Sequence, residues 1–174
     1  MKRFFLTLLV ASAVAAIGVP AQAALITFDA FLSGAAEVPP NASPASGFGQ
    51  VVLNNVANTI TVDLSWNGLL ALATAAHIHG PAAPGVNAGV LFPLAGVAAA
   101  TSGTITTQTF AITASQITQL QGGLFYMNIH STAFPGGEIR GQLIAETPEP
   151  ATLGMLGLGL AGLIGIRRSV TARR

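Results

Sequence analysis

Apolar and polar residues alternate through the middle of the chain. Between Asn58 and Trp66, Ile60, Val62, Leu64 and Trp66 take one side while Thr61, Asp63 and Ser65 take the other. A period of two over that length predicts a half-buried β-strand. Ile26, Phe28, Ala30 and Leu32 alternate with Thr27, Asp29, Phe31 and Ser33 and predict another. Further strands are predicted over residues 49–53, 103–113, 124–130 and 138–145. Asn54-Asn55 to Asn58 reads as the loop of a hairpin joining Leu53 to Thr59. Residues 114–121 form the one short helix pattern, stopped by Gly122 or Gly123. Short strands separated by Gly, Pro and Asn turns, with no internal repeat, predict an all-β fold. We expect an antiparallel, Greek-key-like β-sandwich over residues 24–147.

Two uncharged stretches break this pattern at the ends. Lys2 and Arg3 precede the apolar run Phe4 to Val19, and Ala21-Gln22-Ala23 supplies a small-x-small cleavage pattern. Residues 1–23 therefore read as a secretory signal peptide, cut by signal peptidase before Ala24. An uncleaved N-terminal anchor is the alternative. Ala151 to Ile166 also lacks charge, and as a helix would span roughly 24 Å against a hydrocarbon core of roughly 30 Å. Arg167, Arg168, Arg173 and Arg174 follow it. That arrangement predicts a single C-terminal transmembrane helix with its basic end in the cytoplasm and the domain outside. Gly157, Ala161 and Gly165 recur every fourth residue, which favours close helix packing in lipid.

Charge sharpens this division. Only 7% of the 174 residues are charged and 51% are hydrophobic, where about a quarter charged is usual. Such a balance excludes an intrinsically disordered chain and a nucleic-acid binder, which need many charges or a dense basic patch. Between Ala24 and Thr147 the acids Asp29, Glu37, Asp63, Glu138 and Glu146 face one base, Arg140, so the middle carries −4. The chain has no cysteine, which removes disulfides, thiol nucleophiles and thiolate metal ligands.

Pro148-Glu149-Pro150, the Gly/Leu-rich span and the Arg167–Arg168 cluster together resemble the PEP-CTERM sorting signal of Gram-negative bacteria, over residues 148–174. The resemblance implies recognition by a membrane-embedded exosortase, a transpeptidase-like cysteine protease. Cleavage near Pro-Glu-Pro then makes the inner-membrane anchor transient and delivers the protein to the cell surface. Two prolines hold Glu149 in an extended segment with few hydrogen bonds, suited to a protease.

A second resemblance covers residues 27–145. Leu32-Ser33-Gly34, Glu37-Val38-Pro39-Pro40 and Ser46-Gly47 resemble the opening of a CHRD (chordin-type) domain. His77-Ile78-His79-Gly80 with the loop Pro81 to Gly89 continues the likeness. So do Tyr126-Met127-Asn128-Ile129-His130 and Pro135-Gly136-Gly137-Glu138-Ile139-Arg140-Gly141-Gln142-Leu143. The resemblance implies a β-sandwich and carries no activity with it.

All three histidines lie in these motifs. On a strand His77 and His79 share a face, and His130 shares its face with Tyr126 and Asn128. If the two strands are neighbours, three imidazoles converge, a donor set suited to copper or zinc. Copper/zinc superoxide dismutase is similar in using a His-x-His pair, a later histidine and a late arginine. The corresponding positions are His77, His79, His130 and Arg140. A fourth copper histidine, the zinc ligands and the disulfide have no counterpart, which excludes the two-metal site and leaves a mononuclear one. The alternative is that the imidazoles order the Pro81 to Gly89 loop through backbone carbonyls. Glu138 and Arg140 share a strand face, and we expect Arg140 to pair with Glu138 or Glu37. The sharper alternative is that Arg140 guides an anion to the histidines.

No nucleophile–base–orienter triad, Gly-x-Ser-x-Gly elbow or phosphate-cradling loop is readable. The sequence thus predicts an exported, exosortase-processed surface or extracellular-matrix module with a non-enzymatic role, its expected partner an extracellular polysaccharide. The alternative is a copper- or zinc-binding protein using His77, His79 and His130.

Overall fold

Strand pairing starts where the alternation is cleanest. A computed structural model describes residues 25–146. The signal peptide, the Pro148-Glu149-Pro150 motif, the span and Arg167–Arg168 lie outside the described residues. Strands β1 (Leu25–Ser33), β2 (Ser46–Asn54) and β3 (Thr59–Asn67) form an antiparallel meander. Asn54 pairs with Thr59, and Asn54 Oδ1 accepts from the Val56 and Ala57 N–H groups, which closes the expected hairpin. Asn58 takes φ 52°, a left-handed conformation that asparagine tolerates.

The chain then crosses to β4 (Ala73–His79), turns into β5 (Val90–Leu94) and returns to place β6 (Gly103–Ala111) beside β3. Helix α1 (Ala114–Gln121) carries it back to β7 (Tyr126–Ser131) beside β4. Strands β8 (Ile139–Gln142) and β9 (Ile144–Ala145) then pair with β1. The helix falls where the sequence puts it. Thr113 accepts from Gln116 N–H while the Gln116 side chain accepts from Thr113 N–H, a reciprocal cap that satisfies two end donors.

The fold is all-β and antiparallel, as expected, but the strands do not divide into two separate sheets. They run in one path, β5-β4-β7-β8-β1-β2-β3-β6, with β9 on β1. The sheet curls until its two ends meet. On β6, the Gln108 amide accepts from Ala95 N–H at 2.9 Å and donates to Ala95 carbonyl at 2.7 Å. Phe92 of β5 and Phe110 of β6 pack across the same seam with ring centroids 5.3 Å apart. Alternation on a strand records a buried face; it carries no record of which strand closes the sheet.

Two local irregularities shape the curl. Opposite Asp63 the register slips, and Thr107 takes φ 38°. Asp63 Oδ1 accepts from the displaced Thr107 N–H at 2.7 Å, so the bulge leaves that donor satisfied. At Gly141 the β1 backbone comes so close that a methyl group would lie 2.6 Å from the Phe31 carbonyl oxygen. The predicted strand over 138–145 is accordingly split at Leu143, whose N–H turns to the Phe125 carbonyl.

Inside, Phe28, Val51, Leu53, Ile60, Ile78 and Met127 are fully buried. Burying a side chain of this size contributes about 1.5–3 kcal/mol. The outer faces of β4, β7 and β8 carry the histidines, Tyr126, Asn128, Arg140 and Gln142.

Candidate metal centre

Register brings the three histidines together. In the β4–β7 pair, His77 lies opposite Asn128 and His79 opposite Tyr126, with His130 opposite Ala75. His77, His79 and His130 all project outward because Ile78 and Ile129 project inward, each fully buried. One nitrogen from each ring lies within 4.8 Å of the others. His77 Nδ1 and His130 Nε2 are 3.0 Å apart. The adjacency that the sequence left conditional is present.

The backbone sets which nitrogen each ring offers. His130 Nδ1–H donates to the Pro135 carbonyl at 2.9 Å, so Nε2 holds the lone pair. His79 Nδ1–H donates to the Ala88 carbonyl at 2.9 Å, which again leaves Nε2. The Asn128 amide rests against that Nε2, its Oδ1 position 3.0 Å away. A neutral imidazole carries one N–H, so this contact is satisfied only when the amide turns its NH2 group inward. Without an ion, His77 Nδ1–H donates to His130 Nε2; moving that proton to His77 Nε2 frees the lone pairs of His77 Nδ1 and His130 Nε2, and the Asn128 amide must release His79 Nε2 for a third to join them.

Burial favours the uncharged form of His77 and His79. Burial, then the neighbouring His130 and His79, pushes His77 down to about 4. Burial likewise lowers His79, against the opposing hydrogen bonds to Ala88 and Asn128. Neutral imidazole is the form that binds a metal.

The face beneath them is not solvated. Tyr126 and Asn128, expected on a polar face, are 2% and 3% exposed. The loop over residues 80–89 folds back across them. Tyr126 Oη accepts from Ala88 N–H at 3.1 Å, Gln142 Nε2 donates to the Ala82 carbonyl at 3.0 Å, and Asn87 Nδ2 donates to the Val38 carbonyl at 2.9 Å. Tyr126 stacks on His79 at 4.9 Å between centroids and 4° between planes, and Arg140 Cζ sits 3.4 Å from the Tyr126 centroid.

Arg140 and Glu138 do not pair. Arg140 is 2% exposed and donates to Asn87 Oδ1 at 3.0 Å and to the Val86 carbonyl at 2.8 Å. Its guanidinium is committed to the loop, which removes it as a guide for anions. Glu138 Oε1 instead accepts from Ser43 Oγ at 2.6 Å and Leu70 N–H at 2.7 Å. Glu37 is buried. Desolvation pushes its carboxyl up to about 7, against the Val38 N–H and the Arg140 charge, and its Oε1 has no hydrogen-bond partner. Asn87, Asn128 and Glu37 went unread as site residues. The only sequence signal for Asn128 was its position between Tyr126 and His130 on one face.

A CHRD domain family model matches residues 28–143, and a PEP-CTERM protein-sorting motif matches residues 146–169. No curated protein and no solved structure matches the chain. Among the described residues, no helix is long and apolar enough to cross a membrane.

Proposed function

This chain belongs to the CHRD domain family and carries a PEP-CTERM sorting motif, and from that premise we propose a cell-surface module that holds one copper or zinc ion on His77, His79 and His130. Its role is non-enzymatic. The sorting motif implies export and exosortase processing. The C-terminal span serves as the temporary anchor and signal peptidase removes residues 1–23.

One observation carries the metal assignment: three imidazoles converge within 4.8 Å. Zinc and copper take imidazole nitrogens at about 2.0–2.1 Å, so a modest closing of the rings seats an ion. His79 and His130 have their second nitrogens on backbone carbonyls, the outer-shell arrangement that orients metal-bound histidines. A bound ion would supply a fixed positive charge and a link between β4 and β7; this chain's residues orient the rings and exclude water from beneath them.

The experiment is metal analysis of the protein purified from an exporting host, with calorimetric titration of the metal-free form. One equivalent of copper or zinc in wild type, lost in His77→Ala and in His130→Ala, is the expected result. A second reading keeps the histidines purely structural, and the Ala88 and Asn128 contacts of His79 favour it. Wild type that takes up neither metal would establish that reading and end the first.

A further inference from the structure

Cross-strand register places Phe31, Phe48, Ser65 and Thr104 in one row across β1, β2, β3 and β6. The row faces outward, because Ala30, Leu32, Leu64 and Ile105 beside it are buried. Phe31 is 76% exposed and Phe48 37% exposed, with ring centroids 5.3 Å apart and planes at 53°. They stand in a groove of about 710 Å³. None of the groove's residues is charged. Ser102 Oγ donates to Asn67 Oδ1 at 2.7 Å, which fixes the amide at one rim. Trp66, at the groove's edge, turns its indole to the inner side of the sheet over Gly103, where any Cβ would strike it.

We infer that this groove binds an uncharged polysaccharide, with Phe31 and Phe48 as its stacking platform. A sugar ring has a face of polarised C–H groups and a rim of hydroxyls. The negative face of a phenyl ring takes the first, and Ser, Thr and Asn side chains at the rim take the second. A lipid would leave those polar groups unpaired. Charge selects the polymer: an uncharged groove on a domain carrying −4 complements a neutral chain and repels an anionic one. The inference rests on export to the cell surface, where such polymers are met, and it is independent of the metal, which lies on β4 and β7.

Trp66, the only tryptophan, is buried on the inner side of the sheet, so binding is read by calorimetry. The full chain in detergent is titrated with cellohexaose, xylohexaose and mannohexaose at low and high salt. Saturable binding of one of them, unaltered by salt, is expected. Phe31→Ala should weaken it about tenfold without changing the melting temperature, and Phe31→Trp should restore it. No heat of binding with any of the three sugars, or equal binding by Phe31→Ala, overturns the inference. So does a wild-type dimer that Phe31→Ala dissolves, since a second copy would then be the occupant. The titration is done in solution, so its failure is read separately from any failure of export.

Discussion

Removing the Arg140 guanidinium would leave Asn87 Oδ1 and the Val86 carbonyl without donors and Tyr126 without its cation. Charge-assisted hydrogen bonds contribute about 1.5–3 kcal/mol each, offset in part by no longer burying a cation. Arg140→Met should therefore cost about 3 kcal/mol, seen in thermal unfolding as a drop of about 10 °C. Lysine should not rescue it, because one ammonium cannot reproduce the planar fork. Glu37 and His77 oppose each other in pH dependence. The carboxyl, raised to about 7, stabilises the fold below its unfolded value near 4.5, and that contribution is lost as pH rises through 7. The imidazole, lowered to about 4, contributes above its unfolded value near 6.5, and that is lost as pH falls through 4. In metal-free protein, stability between about pH 4.5 and 6.5 should rise with pH in Glu37→Gln more steeply than in wild type. In His77→Ala it should rise less steeply or fall. Denaturant melts across that window check both slopes. Residue roles were the least legible part of the sequence. The i, i+2 rule puts His77 and His79 on one face, but nothing in Glu37-Val38-Pro39-Pro40 marks Glu37 as buried. Its burial depends on contacts with residues a hundred positions away, such as Gly137.

At the scale of elements, period-two alternation found β1 and β3 and the Gly stop found α1, because each pattern is local. Strand β5 escaped because Pro93 interrupts it. Proline lacks the N–H a central strand needs, and β5 keeps it by standing at the end of the sheet path, hydrogen-bonded to β4 alone. The loop over residues 80–89 acts as a cover, which its Pro and Gly residues do not announce. Tyr126, Gln142, Arg140 and His79 all hold its backbone, and their polarity had made that face look solvated. The seam is a weaker joint. Gln108→Ala deletes both amide bonds to Ala95, which at about 1 kcal/mol net for exposed groups should lower stability by about 1–2 kcal/mol. Hydrogen exchange should speed most at Ala95 and within β5, while the β1–β2–β3 meander stays protected.

For the whole molecule, the two ends and the folded domain obey different rules. The described domain ends at Glu146, directly before the Pro-Glu-Pro segment. Cleavage there would leave all nine strands intact. Mass spectrometry of the surface-released protein should show a chain beginning at Ala24 and lacking Arg167 to Arg174. Retention of those arginines would mean a permanent anchor. The sorting motif was legible early, since Pro-Glu-Pro, an apolar run and an Arg cluster need no tertiary contacts. The closure of the sheet was not, because nothing in the local pattern of β5 or β6 names the other as its neighbour.

The Gln108 seam has a consequence for life on a crowded surface. Open strand edges are templates on which identical molecules add to one another, and the danger grows with local concentration. Here one edge strand carries a proline and the gap between the two edges is occupied by a side-chain amide. Many copies crowded together can thus remain separate molecules, because the two edges meet each other at Ala95 and do not stand open.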